Sequence, residues 1–222
     1  DQELIKEAYN YSRTFSRVGD VVVEEYMSGP EVSVETLSID GVCHVIQITD
    51  KLTTGAPYYV EMGHSQPTRH SKETIEKIAK VAKAANRAIG IKNGPSHTEI
   101  IVTTEGPKVV ELGARLGGDN ITTHLVPLST GVNMVECCIK IALGEKPDIE
   151  PKYSKGAAVR YFKQREGVVK SIDGAVSNLG NVAKGALQFE MKPVLLERGD
   201  EVGDIARAIQ SLIHSLREIL TN

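Results

Sequence analysis

The sequence predicts an α+β fold: an antiparallel sheet with packed helices, followed by a small strand-rich C-terminal subdomain. Three observations predict it. Two β-rich runs, 32–39 and 42–48, flank Asp40-Gly41, a dipeptide that favours the two-residue type I′ hairpin turn. A second pair of β-rich runs, 97–102 and 108–112, is joined by Thr103-Thr104-Glu105-Gly106-Pro107. Between the two pairs, Ile75, Ile78, Ala79, Ala82, Ala85 and Ile89 recur at helical spacing, with Ser71 as N-cap and Gly90 just past the end.

The remaining elements follow in chain order. Leu4, Ala8, Tyr11 and Phe15 define a short amphipathic helix over 3–16, and Gly19-Asp20 ends it. Val21-Val22-Val23 reads as a buried strand that exits into Glu24-Glu25, and Ser28-Gly29-Pro30 is a turn. Residues 53–67, interrupted by Gly55, Pro57, Gly63 and Pro67, read as loop with a short strand around 58–61. A glycine-containing loop spans 113–119, and a helix over 132–143 stops at Gly144. Beyond Pro147 and Pro151 the chain becomes mildly basic and strand-rich, which places a boundary near 152–156. Strands are expected there at 157–162, 168–172 and 187–190. Ile205, Ile209, Leu212, Leu216 and Leu220 mark a last helix.

Composition excludes several classes of function. The 222 residues are 41% hydrophobic and 25% charged, ordinary values for a chain with a sizeable core. The 26 lysines and arginines against 29 acids give a net charge of −3, without the basic excess of a nucleic-acid binder or an anionic-membrane binder. No apolar run approaches the roughly 18 residues of a membrane helix. Three cysteines are an odd count, and Cys137 and Cys138 are adjacent, so no disulfide framework is expected and a cytoplasmic location fits.

The strongest chemical constellation is Glu99 with Glu111. If the second hairpin closes symmetrically on Glu105, Val102 faces Lys108, Ile101 faces Val109 and Glu99 faces Glu111. Directly opposed residues share a face with Cβ atoms about 4.5–5.5 Å apart, where like charges repel. A hard divalent cation between them relieves the repulsion, and Mg²⁺ commonly takes one or two carboxylates together with substrate phosphates. A one-residue slip puts the two on opposite faces, where they are ordinary solvated sheet residues. Arg115, just beyond the strand in the glycine-containing loop, is placed to meet a phosphate bound by the same metal.

These residues carry a family resemblance. The run Val21 to Glu31, with His97-Thr98-Glu99 and Val110-Glu111-Leu112-Gly113-Ala114-Arg115-Leu116-Gly117-Gly118, resembles the ATP-grasp superfamily. Its members include D-alanine–D-alanine ligase, biotin carboxylase and the carbamoyl-phosphate synthase large chain. The resemblance spans residues 1 to about 150 and implies ATP and Mg²⁺ as cofactors, with Mn²⁺ able to substitute. It implies that Glu24, Glu25, Tyr26 and Met27 are a hinge bonding adenine, that Glu31 receives the ribose hydroxyls, and that Glu99 and Glu111 hold the metal. Arg115 would stabilise the transferred phosphoryl group. Many members carry asparagine two positions after the second metal glutamate. Gly113 stands there in this chain, so a second metal ion would be held differently.

Within the superfamily, Glu111 to Gly118 resembles the L-amino-acid ligases, as do Ile48-Thr49-Asp50-Lys51, Val60-Glu61-Met62-Gly63-His64 and Arg198-Gly199-Asp200-Glu201-Val202-Gly203. That implies small-molecule carboxylate and amine substrates joined through an acyl phosphate. The backbone of Gly117 and Gly118 would bind a carboxylate, and Lys51 and His64 are candidates for phosphate or substrate contact. Carbamoyl-phosphate-synthase-like and biotin-carboxylase-like chemistry, and a nucleotide-binding fragment without turnover, stay open as alternatives. By the resemblance, residues 1–27 are a remnant of the small nucleotide lobe with the hinge. Residues 28–155 are the large lobe and 156–222 the C-terminal subdomain. The phosphate-covering glycine loop would precede residue 3. The expectation is therefore that 1–222 alone binds ATP weakly and needs a missing N-terminal segment or a partner chain, with a homodimer also possible.

Overall fold

A computed structural model describes residues 2–56 and 58–161, all within the first of two units of the chain, Asp1–Lys163. Six antiparallel strands make one sheet: β1 (Glu31–Ile39), β2 (Val42–Thr53), β3 (Glu61–Gln66), β4 (Gly94–Thr103), β5 (Gly106–Gly113) and β6 (Ala157–Arg160). Their order is β5-β4-β1-β2-β3-β6. The helices are α1 (Gln2–Phe15), α2 (Lys72–Ala88), α3 (Val126–Thr130) and α4 (Met134–Ala142), with a π-helical turn at Ile121–Leu125 leading into α3. The fold is α+β, as the sequence predicts.

The β1–β2 hairpin closes where the Asp-Gly signal places it. Asp40 and Gly41 both take positive φ, 50° and 80°, and Ile39 pairs with Val42. That double left-handed turn matches the twist of the flanking strands. Ser71 caps α2 by accepting the Thr74 N–H at 3.3 Å, and Asn133 caps α4 by accepting the Glu136 N–H at 3.1 Å. Each cap satisfies an N–H that the first helical turn leaves without a partner.

Every residue of β1 from Val32 to Ser38 is buried, so both sheet faces are covered. Strand side chains alternate between faces. Val32 and Val34 point to one side and pack with Ile48, Ile100 and the α2 residues Ile78 and Ala82. Leu37 points to the other and packs with Ile46, Ile121, Leu125, Val126, Val132, Met134 and Cys137. That second face is apolar only at the Leu37 end. At the Glu31 end it carries Glu31, Glu35 and, from β4, His97 and Glu99.

Four departures from the sequence reading have physical causes. The β4–β5 turn is tighter than a closure on Glu105: Thr103 pairs with Gly106, Val102 with Pro107 and Ile101 with Lys108. A register shift at Glu99/Ile100 leaves Val110 as an extra residue, and this bulge brings Glu99 opposite Glu111 again. Val21-Val22-Val23 forms no strand, and Val22 and Val23 are 79% and 81% exposed. Local β propensity cannot hold a strand without a neighbour to complete its ladder. Strand β2 runs on to Thr53, and β3 occupies Glu61–Gln66 where loop was expected, because β3 lies between β2 and β6. Strand β6 covers part of the run expected at 157–162 and extends the sheet through β3. The strands expected at 168–172 and 187–190, the motif at 198–203 and the helix through 205–220 lie outside the described residues.

Among the described residues no single helix is long and apolar enough to cross a membrane. Helix α1 buries none of its residues. The two faces of the sheet should therefore differ sharply from α1 in mutational cost. Ile78→Ala, at a fully buried site, should lower stability by about 2–5 kcal/mol in urea titrations. Ile5→Ala, on exposed α1, should stay within about 0.5 kcal/mol.

Candidate active site

The site is built on the polar end of the sheet face that carries Glu31, Glu35, His97 and Glu99. Strand β2 contributes Lys51 and β3 contributes Glu61 and His64. Lys51 Nζ lies 2.6 Å from Glu31, 2.8 Å from Glu61 and 3.0 Å from Glu99. An ammonium has three N–H donors, and three carboxylates from three strands take them up. The Lys51 side chain is 4% exposed. Burial works against its charge, but hydrogen bonds to Glu31, Glu61 and Glu99 outweigh burial and hold its pKa above the ordinary lysine range.

Glu99 is held from both sides. His97 Nε2 lies 3.3 Å from one oxygen and Lys51 reaches the other. The hydrogen bond from His97, then that from Lys51, overcome burial and depress the Glu99 pKa to about 2. The other ring nitrogen of His97, Nδ1, lies 2.5 Å from Glu35 Oε1. Both neighbours accept hydrogen bonds, so the ring satisfies both as an imidazolium. Burial opposes that charge, but Glu35 and Glu99 prevail and push the His97 pKa up to about 9.

The glycine loop lies directly over this pair. A Cβ on Gly117 would fall 2.7 Å from both Glu35 Oε1 and His97 Nδ1, so only glycine allows so close an approach. The Gly117 carbonyl accepts the Thr122 hydroxyl at 2.7 Å, whereas Gly118 is exposed. At the β3 side, His64 is 1% exposed and its Nε2 lies 3.2 Å from Asp119 Oδ2. Glu61 and Asp119 face each other. The hydrogen bond between them raises the Glu61 pKa and lowers that of Asp119.

Glu111 is the direct ladder partner of Glu99 and so shares its face. It is half exposed, with Arg115 at 3.8 Å. Two carboxylates on one face, the outer one without a short ion pair among the described residues, are the hard oxygen donors that suit Mg²⁺ or Mn²⁺. The residues present fit such an ion. Of the two carboxylates, Glu99 is the enclosed one. β5 is the edge of the sheet, so Glu111 keeps solvent on one side.

Residues 24–27, expected to contact adenine, stand apart from this network. Glu24, Glu25 and Tyr26 are exposed and Met27 is half-buried. Glu25 pairs with Lys108 of β5 at 2.9 Å, and the Tyr26 and Tyr59 hydroxyls lie 3.2 Å apart. The Pro30 carbonyl accepts the Val102 N–H at 2.9 Å and ties the segment that follows residues 24–27 to β4.

The structure thus unites Glu31, Lys51, His64 and Glu99 in one network. It sets Glu111 and Arg115 at its mouth and lays Gly117 over its floor. Sequence reasoning did not single out Glu35, Glu61, His97 or Asp119 as site residues. A glutamate inside the otherwise uncharged run Val32 to Ile39 was the available signal for Glu35, since a buried charge requires a partner.

Comparison with known proteins adds a second line. A family model described as an ATP-grasp domain matches residues 1–123. The y4rH protein of Sinorhizobium fredii is 30% identical over 156 residues, covering 70% of this chain and 32% of its own length. Alanine–anticapsin ligase of Bacillus subtilis is 26% identical over 174 residues, covering 73% of this chain and 36% of its own. The solved L-amino acid ligase from Bacillus licheniformis superposes with a TM-score of 0.69 at 32% identity, over 83% of this chain and 46% of that one. The chain spans about a third of the length of these curated relatives.

The raised His97 pKa has a measurable consequence in metal-free buffer. A group whose pKa rises on folding stabilises fully below its ordinary value, here 6.5, and that contribution is lost as pH rises through about 9. Urea midpoints should therefore fall between pH 6.5 and 9 more steeply in the wild type than in His97→Gln. Parallel slopes would contradict the buried imidazolium.

Proposed function

The chain belongs to the ATP-grasp family, and on that premise we propose that it carries the metal and nucleotide site of an ATP-dependent carboxylate–amine ligase. The type is that of the L-amino-acid ligases, and the reaction runs through an acyl phosphate. One observation carries this reading: the cross-strand pair Glu99 and Glu111, with the inner carboxylate clamped by Lys51 and His97. Similarity to an L-amino acid ligase and to alanine–anticapsin ligase supports the substrate class.

In this reading Glu24 to Met27 receive adenine and Glu31 receives the ribose hydroxyls. Glu99 and Glu111 hold Mg²⁺, which when bound neutralises charge on the ATP phosphates. A substrate carboxylate oxygen attacks the γ-phosphorus, and the bond from that phosphorus to ADP breaks. Arg115, with its planar fork at the mouth of the site, stabilises the charge on the transferring phosphoryl group. An amine nitrogen then attacks the acyl carbon, the carbon–oxygen bond to phosphate breaks, and the amine gives up a proton. Such chemistry depends mainly on positioning and charge.

Gly118, next to the closely packed Gly117, is the more open of the two backbone sites for a substrate carboxylate. His64, between Glu61 and Asp119, lines the substrate side. Lys51 acts by organising the three carboxylates around it. The apolar groove between α1 and residues 21–24, lined by Ile5, Ala8, Tyr9, Val21, Val22 and Val23, is covered in the working enzyme by a further lobe or partner chain.

Screening amino-acid pairs for phosphate release from ATP by the whole protein tests the reading. Release that requires both an amino-acid carboxylate and an amine is expected, and dependence on bicarbonate instead would assign carboxylase-like or carbamoyl-phosphate-like chemistry. Glu99→Gln and Glu111→Gln should each abolish Mg²⁺-dependent turnover while the protein stays folded. Arg115→Lys should lower kcat on the order of 10²-fold with little change in KM for ATP. A pure KM effect would make Arg115 a ground-state binding residue.

A further inference from the structure

We propose that His97 is a positioning residue for the Glu99 carboxylate, and that Glu35 and Gly117 fix its ring for that task. The inference rests on the reading of Glu99 as a metal ligand.

Three features of the fold carry it. Glu35 of β1 is the direct ladder partner of His97 of β4, so their side chains stand side by side on one face. Glu35 is 0% exposed. Its Oε1 meets His97, and its Oε2 has no hydrogen-bond partner among the described residues. A fully buried carboxylate is costly unless paired, and the pairing here fixes the position of one imidazole ring.

That ring looks outward. His97 and Glu99 are two residues apart on β4 and share a face, and the free nitrogen of the ring, Nε2, meets the Glu99 carboxylate. The ladder partner of Glu99 on β1 is the small, uncharged Ser33, whose buried hydroxyl makes no hydrogen bond to Glu99 or to any other described residue. The Gly117 backbone packs against the Glu35–His97 contact so closely that a Cβ there would meet both groups at 2.7 Å. The arrangement is a carboxylate, an imidazole and a second carboxylate in line, from the core outward. Ring-orienting partners of this kind commonly change metal affinity 10- to 100-fold when removed. Here the oriented group is itself the carboxylate proposed to bind the metal, with Lys51 fixing its other oxygen.

Two substitutions separate orientation from packing. His97→Gln places an amide N–H near the position of Nε2 and keeps the donor toward Glu99. His97→Asn places its amide near Nδ1, so it keeps the Glu35 contact and loses the one to Glu99. Mn²⁺ binding by the whole protein, read from the electron paramagnetic resonance of the free ion with a non-hydrolysable ATP analogue present, gives the affinity directly. The expected result is a loss of about 10- to 100-fold for His97→Asn, with His97→Gln within a few-fold of the wild type. Equal losses in both variants, or none in His97→Asn, would overturn the positioning role. Should His97→Asn fail to fold, Glu35→Gln decides the matter: a several-fold loss is expected, and an unchanged affinity overturns the role. Glu99→Gln separates the two readings. If it removes Mn²⁺ binding while the His97 variants do not, the metal site stands and the positioning role fails. If it changes nothing, both fail.

Discussion

One buried ammonium organises the polar end of the sheet. Lys51 Nζ is within 3.0 Å of carboxylates from β1, β3 and β4, and without it that sheet face would concentrate uncompensated negative charge. Sheet order explains how it reaches all three. β2 lies between β1 and β3, but β4 lies beyond β1, so the lysine must extend across a whole strand. Ser33, buried between Thr49 of β2 and Glu99 of β4 in the ladder, is small enough to leave that path open. A lysine also suits the task because its long flexible stem delivers a compact charge with three donors.

The same clustering separates a rigid from an adaptable part of the site. Glu31, Glu61 and Glu99 are fixed by Lys51, and Glu99 is fixed a second time by His97. Glu111 and Arg115, on the outer strand β5 and in the loop that follows it, are half exposed and joined by a long contact of 3.8 Å. Under the proposed function, holding one carboxylate firmly and leaving its partner free suits a site that receives a charged nucleotide and its cation and then releases them. Preorganised groups act without reorganising as charge develops.

The Asp-Gly hairpin and the capped helix α2 were legible because turn chemistry and helical period are local. The pairing of Glu99 with Glu111 was legible too, but by another route. The real turn is one register step tighter, and the Val110 bulge restores the pairing. Strand β3 was hidden because Gly63 and Ser65 have little β propensity, and its place follows from β2 and β6 on either side. Val21-Val22-Val23 misled in the opposite sense, since strong local propensity found no neighbour to pair with. Lys51 stood out as a candidate contact through the resemblance, but its three carboxylate partners follow only from the pairing of β2 with β1 and β3 and of β1 with β4. Glu35 and His97 are 62 residues apart, and only the register of β1 on β4 makes them a pair.

The central claim is that Lys51 neutralises the carboxylates on which the site is built. Its most direct test is the stability of Lys51→Met, measured by urea unfolding at pH 7 in the absence of divalent metal. Removing one partner from a buried ionic cluster leaves the others uncompensated, so a loss of about 3 kcal/mol is expected. Adding Glu61→Gln to Lys51→Met should recover part of it by removing one of the stranded charges. A loss below about 1 kcal/mol, the range of an exposed ion pair, would contradict the account.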